Sequence, residues 1–155
     1  MKSVEDLDVF QLAHEITIEV YNLTKKFPDH EKYGLISQIR RASMSIPMNL
    51  MEGSHRLNRK EYRQFVGIAR GSVGELKYQL MLSRDLTYLK EDTYKRLREK
   101  AESISKMLTK LAASLADTDT FELLENLYGK TEEVSKMIQS FMNYLRTWAP
   151  NSSTP

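Results

Sequence analysis

The chain has 155 residues, 41% of them hydrophobic and 28% charged, with six Gly, four Pro and no cysteine. This fits a single helical domain with a real core, and the missing cysteine excludes a disulfide framework or a thiolate-held zinc. Net charge is only +2, yet residues 35–74 carry 7 basic and 2 acidic groups while the two ends are net acidic, a distribution that suits an anionic partner.

The first predicted helix carries Val9, Leu12, Ile16, Val20, Leu23 and Phe27 in one apolar stripe. It ends at Phe27-Pro28, because a residue before proline is pushed out of the α region. After the connector "FPDHEKYG", a second helix is expected from about Leu35 to Glu52, with Gly53 as a left-handed stop. Pro47 lies inside it and deprives the Ser43 carbonyl of its helical donor, at about 3 kcal/mol unless something compensates. Ser43 and Ser45 are the expected compensators.

Asn58, with Glu61 three residues on, predicts the cap of a third helix. Its buried side should hold Tyr62, Phe65, Ala69, Ser72, Leu76, Leu80, Ser83 and Leu86. Gly67, Gly71 and Gly74 lie three and four apart within it, and each weakens a helix by about 1 kcal/mol relative to alanine. They point to close approach by a neighbouring helix or a ligand, the helix being the favoured reading. A fourth stripe runs through Tyr94, Leu97, Ala101, Ile104, Leu108, Leu111 and Leu115. Leu124, Leu127, Thr131, Val134, Ile138, Phe141 and Leu145 repeat that spacing thirty residues on, with Asp119 and Glu122 as the expected cap of a separate helix. The expectation is all-α: an antiparallel up-and-down four-helix bundle with an additional C-terminal helix. One domain should cover residues 1–148, with an extra helix from about 119 to 148 and a disordered tail at 149–155. No apolar run approaches the about 18 residues of a membrane span, and "MKSVEDLDVF" is too acidic for a signal peptide. A cytoplasmic protein without membrane association is therefore expected.

No catalytic signature stands out. "GIARGSVGEL" lies mid-helix, without the strand that a phosphate-cradling loop requires. Glu52 to His55 is an E-x-x-H, but a helical di-iron site needs a second copy and two further glutamates, and no other E-x-x-H occurs. The three histidines have no visible nucleophile partner. Neither an enzyme, a metal nor a cofactor is expected. The strongest constellation is basic: Arg56, Arg59, Arg63 and Arg70 at steps of 3, 4 and 7, Lys60 beside them, and Arg40-Arg41 on the preceding helix. Guanidinium groups at this spacing can meet successive phosphates of RNA or another nucleic acid. Ion pairs between subunits and plain solvation are the alternatives, and Tyr62 is either core or a base-stacking ring.

The stretch "FPDHEKYGLISQIRRASMSIPMNLMEGSHRLNRKEYRQFVGIARGSVGEL" resembles bacterial four-helix-bundle proteins encoded in intervening sequences of 23S ribosomal RNA genes. The similarity rests on Phe27-Pro28, Tyr33-Gly34-Leu35, Arg40-Arg41-Ala42, Ser45-Ile46-Pro47, Asn49, Glu52-Gly53, Ile68-Ala69, Gly71-Ser72 and Glu75-Leu76. It covers residues 8 to about 115; Met51, Lys90 and everything after Leu115 depart from the family pattern, though "EEVSKMIQSFMNYLR" itself resembles the family's closing helix, so the fourth and fifth helices compete for that place. The resemblance implies a homopentamer with a basic nucleic-acid-binding surface and no established catalysis. A related branch consists of accessory proteins of diversity-generating retroelements, which bind a reverse transcriptase and its template RNA. In an assembly of this kind the Pro47 bend would turn the second helix toward a neighbouring protomer. Met44, Met48 and Met51 with Gly67, Gly71 and Gly74 would then join Pro47 at the oligomer interface, and Arg40 and Arg41 would lie near the arginines of the third helix.

Overall fold

The computed structural model describes residues 3–148, with side chains for 3–116 and 129–143. The expected tail at 149–155 lies outside the described residues. Two 3₁₀ turns (Val4–Asp6 and Asp29–Glu31) accompany four helices: α1 (Asp8–Thr24), α2 (Leu35–Ser54), α3 (Arg59–Asp85) and α4 (Glu91–Trp148). The described residues contain no strand, and the fold is the all-α bundle with an added C-terminal helical stretch. That stretch begins without a break: α4 runs through position 119, so no separate helix starts there. No proline, and no glycine in a left-handed conformation, interrupts α4, so its backbone bonds continue.

The chain forms two compact units, residues 1–116 and 117–155. In the first, α1, α2, α3 and the start of α4 close a square in which each helix runs antiparallel to its chain neighbours. Arg40 reaches Thr24 and Ser43 reaches Thr17 between α1 and α2. Ser45 meets Ser72 between α2 and α3, Lys77 meets Glu102 between α3 and α4, and Glu19 meets Arg96 and Lys100 between α1 and α4. The core is built from the expected stripes: Ile16, Val20, Ile39, Ile46, Leu50, Leu76, Leu80, Leu97, Ile104 and Leu108 are all fully buried. Leu86, placed on the buried side by spacing alone, is exposed, because α3 ends at Asp85 before the stripe reaches it.

The α3 cap forms as expected, with the Glu61 N–H donating to Asn58 Oδ1 at 2.8 Å and Asn58 Nδ2 donating back to the Glu61 carboxylate at 2.7 Å. Two expectations on α2 are corrected. Gly53 is no left-handed stop, since no glycine has positive φ and the helix continues to Ser54. Its hydrogen is required by packing instead: a Cβ there would lie 2.6 Å from Tyr62 Cδ2 and 2.8 Å from Phe65 Cβ. Nor do Ser43 and Ser45 compensate Pro47. Ser43 Oγ donates to the Arg40 carbonyl, and Ser45 Oγ accepts from Asn49 and Ser72. The orphaned Ser43 carbonyl shares the one hydroxyl proton of Thr17 on α1 with the Ala13 carbonyl, the Thr17 Oγ1 lying 2.9 Å from the first and 2.7 Å from the second. Pro47 is buried in the chain, so the carbonyl it frees becomes a tie between α1 and α2.

Candidate nucleic-acid interface

The seven predicted basic residues divide by what they touch. Arg40 lies over the Tyr21 ring, 4.8 Å from its centroid, and donates from Nε to Thr24 Oγ1 at 2.8 Å. It is a half-buried clamp on α1, where the ring face attracts the guanidinium, and is not beside the α3 arginines. Arg56 lies 4.6 Å over the Phe65 ring and pairs with Glu52. Arg41 is exposed on the outer face of α2 and, among the described residues, is held by Gln38 alone, at 2.8 Å.

Arg59, Lys60, Arg63 and Arg70 all project from the exposed side of α3. Among the described residues Arg59, Lys60 and Arg70 make no hydrogen bond, ion pair or ring contact. At about 1.5 Å per residue the line from Arg59 to Arg70 is about 16 Å long. Lys77 continues it and pairs with Glu102, so the arginine line borders α4.

Next to this line runs a strip without side chains. Gly67, Gly71 and Gly74 are exposed, and a Cβ built on any of them would meet nothing within 4 Å. The favoured expectation of a neighbouring helix is therefore not met inside this chain: α3 packs through Val66, Ala69, Val73 and Leu76 on the opposite side. Tyr78, exposed and next in the 4, 3, 4 spacing after Gly74, ends the strip with an aromatic ring. Sequence reasoning passed over Tyr78; its signal was its place on the glycine line rather than the apolar one. Tyr62, the ring singled out instead, packs against Gly53, its hydroxyl buried without a partner and its pKa raised by that burial. It belongs to the core.

Of the expected interface residues, Met48 is more than half exposed while Met44 and Met51 are half-buried. Antiparallel pairing of α2 with α3 brings the turn carrying Met48 beside Ile68, also more than half exposed and absent from the predicted set. Among the described residues no group of His, Asp and Glu is placed to hold a metal ion, and no helix is long and apolar enough to cross a membrane.

The family of 23S rRNA-intervening sequence proteins matches residues 5–110. The chain belongs to that family. A solved protein of unknown function from the S23 ribosomal protein family of Bacteroides thetaiotaomicron VPI-5482 has the same fold. It superposes with a TM-score of 0.63 at 24% identity, over 67% of this chain and 97% of that one. No curated protein matches. The family match in this intervening-sequence protein ends before the second compact unit begins at Asp117.

Proposed function

We propose that this intervening-sequence protein is a non-catalytic nucleic-acid-binding protein, with RNA as its ligand, acting as a homo-oligomer. One observation carries the reading. A row of exposed cations, three of them unengaged, lies beside a helix strip stripped to glycine. Unpaired guanidinium groups are the natural partners of phosphate. The bare strip lets a sugar–phosphate backbone approach α3 closely, and Tyr78 offers a π-face for an unstacked base. Arg59, Lys60 and Arg70 are the primary phosphate contacts, with Arg63 adding charge to the same row and Arg41 at the margin. Arg40 and Arg56, already engaged, support the fold. The family's link to 23S rRNA intervening sequences supports an RNA ligand. The assembly surface is the apolar pair Met48 and Ile68 with Met44 and Met51 beside it, and the pentamer implied by the sequence resemblance is the expected stoichiometry.

The test is an RNA-binding titration at rising salt. Changing Arg59, Arg63 and Arg70 together to Gln should flatten the slope of log affinity against log salt by about one unit per contact removed. Arg40→Gln should leave the slope alone. A weak salt dependence that the triple variant does not alter would refute the proposal.

A further inference from the structure

Beyond the family-matched region, residues 129–143 of α4 are helical and exposed throughout. The exposed residues include five large apolar side chains: Val134 53%, Met137 71%, Ile138 58%, Phe141 61% and Met142 47%. At 100° per residue these five fall within an arc of about 140°, and no charged residue between positions 134 and 142 shares it. The charges of the same stretch lie elsewhere. Lys136 pairs with Glu132 at 3.2 Å on the opposite side, and Glu133 lies outside the arc. Lys130 alone enters it, at the N-terminal edge, where its aliphatic stem can cover apolar surface while the ammonium reaches water.

A lone helix with this face is poorly stable. It contains Gly129 together with Thr131, Ser135 and Ser140, and isolated helices draw most of their stability from packing an apolar face. The 3-4 spacing of Val134, Ile138 and Phe141 is that of a coiled-coil seam, which extends in sequence through Thr131 to Leu127 and Leu124, and on to Leu145. Such a seam is self-complementary.

We infer that α4 beyond Asp117 docks on the same segment of other copies of this chain, forming a parallel bundle of three or more helices. The area is sufficient. The five exposed side chains present about 100 Å² each, the area corresponding to burial of one Leu-sized side chain. A bundle in which every copy buries this face covers about 500 Å² per copy, about 1,500 Å² for three, above the about 1,000 Å² of a specific interface. The width decides the number of copies. A two-stranded coil uses a narrow stripe, whereas Met137 and Met142 flank the seam on both sides, so each helix has apolar surface for two neighbours. This inference stands apart from the nucleic-acid surface on α3 and from assembly through Met48 and Ile68.

The natural chain has no cysteine, so a single one reports position cleanly. Full-length Ile138→Cys should form disulfide-linked pairs on mild oxidation, Lys136→Cys on the opposite side should stay reduced, and adding Phe141→Glu to Ile138→Cys should abolish the crosslink. Light scattering on the uncrosslinked protein gives the copy number. Equal crosslinking at 136 and 138, or none at 138, overturns the inference. An oligomer that shows no crosslink at 138 leaves assembly through the bundle standing and removes only the C-terminal docking.

Discussion

The clearest test of the fold concerns the carbonyl that Pro47 leaves without a helical donor. In the native chain the Thr17 hydroxyl lies 2.9 Å from the Ser43 oxygen, and both residues are buried. Thr17→Val keeps the shape and removes the donor. A buried acceptor left unpaired costs about 1–3 kcal/mol, and the added methyl returns under about 1 kcal/mol, so the net loss should be about 1–2 kcal/mol. In a Pro47→Ala background the backbone N–H restored at that position donates to the same carbonyl along the helix, and Thr17→Val should then cost almost nothing. Urea unfolding of the four proteins of this cycle, followed by circular dichroism, should give a coupling of about 1–2 kcal/mol at unchanged m-value. Equal costs for Thr17→Val in both backgrounds would show that the hydroxyl does not serve the orphaned carbonyl.

Three further outcomes follow from the geometry. Gly53→Ala should destabilise by about 1–3 kcal/mol in thermal or urea unfolding, since its methyl meets the Tyr62 ring and the Phe65 Cβ; an unchanged midpoint would contradict that packing. Gly71→Ala, with nothing within 4 Å of the new methyl, should raise stability by up to about 1 kcal/mol while weakening RNA binding, a divergence that a merely structural glycine would not show. Burial alone would raise the Glu19 pKa, but hydrogen bonds from Lys100 and Arg96 hold it below its ordinary value, and the Glu19 contact in turn raises that of Lys100. The depressed carboxylate stabilises the fold above its unfolded pKa and loses that contribution as pH falls through the folded one. Glu19→Gln should therefore flatten the acid limb of stability against pH, and an unaltered limb would remove Glu19 from the account. The raised Lys100 pKa works the other way, its contribution fading only as pH climbs through the alkaline range.

Sequence alone determined the first three helices, the start of α4, most of the faces they bury and the α3 cap, because these depend on contacts three and four residues apart. It placed a helix start at Asp119 where α4 runs on. Ile16, Val20, Leu76, Leu80, Ile104 and Leu108 took core positions from periodicity alone, and Asn58 caps α3 with its neighbour Glu61. The basic cluster was legible as a group of residue types, but which members are engaged was not. Arg40 spends its charge on Tyr21 and Thr24, 19 and 16 residues away in sequence, whereas Arg59, Lys60 and Arg70 face outward. Local pattern was equally silent on Gly53, which is small because two aromatic residues of the next helix press on it, and on Gly67, Gly71 and Gly74, which face open space. Tertiary structure likewise chose Thr17 to satisfy the Ser43 carbonyl, across 26 residues of chain. Periodicity states which side of a helix is apolar, and only the docking of one helix on another decides which polar atom, hydrogen or charge meets a partner there.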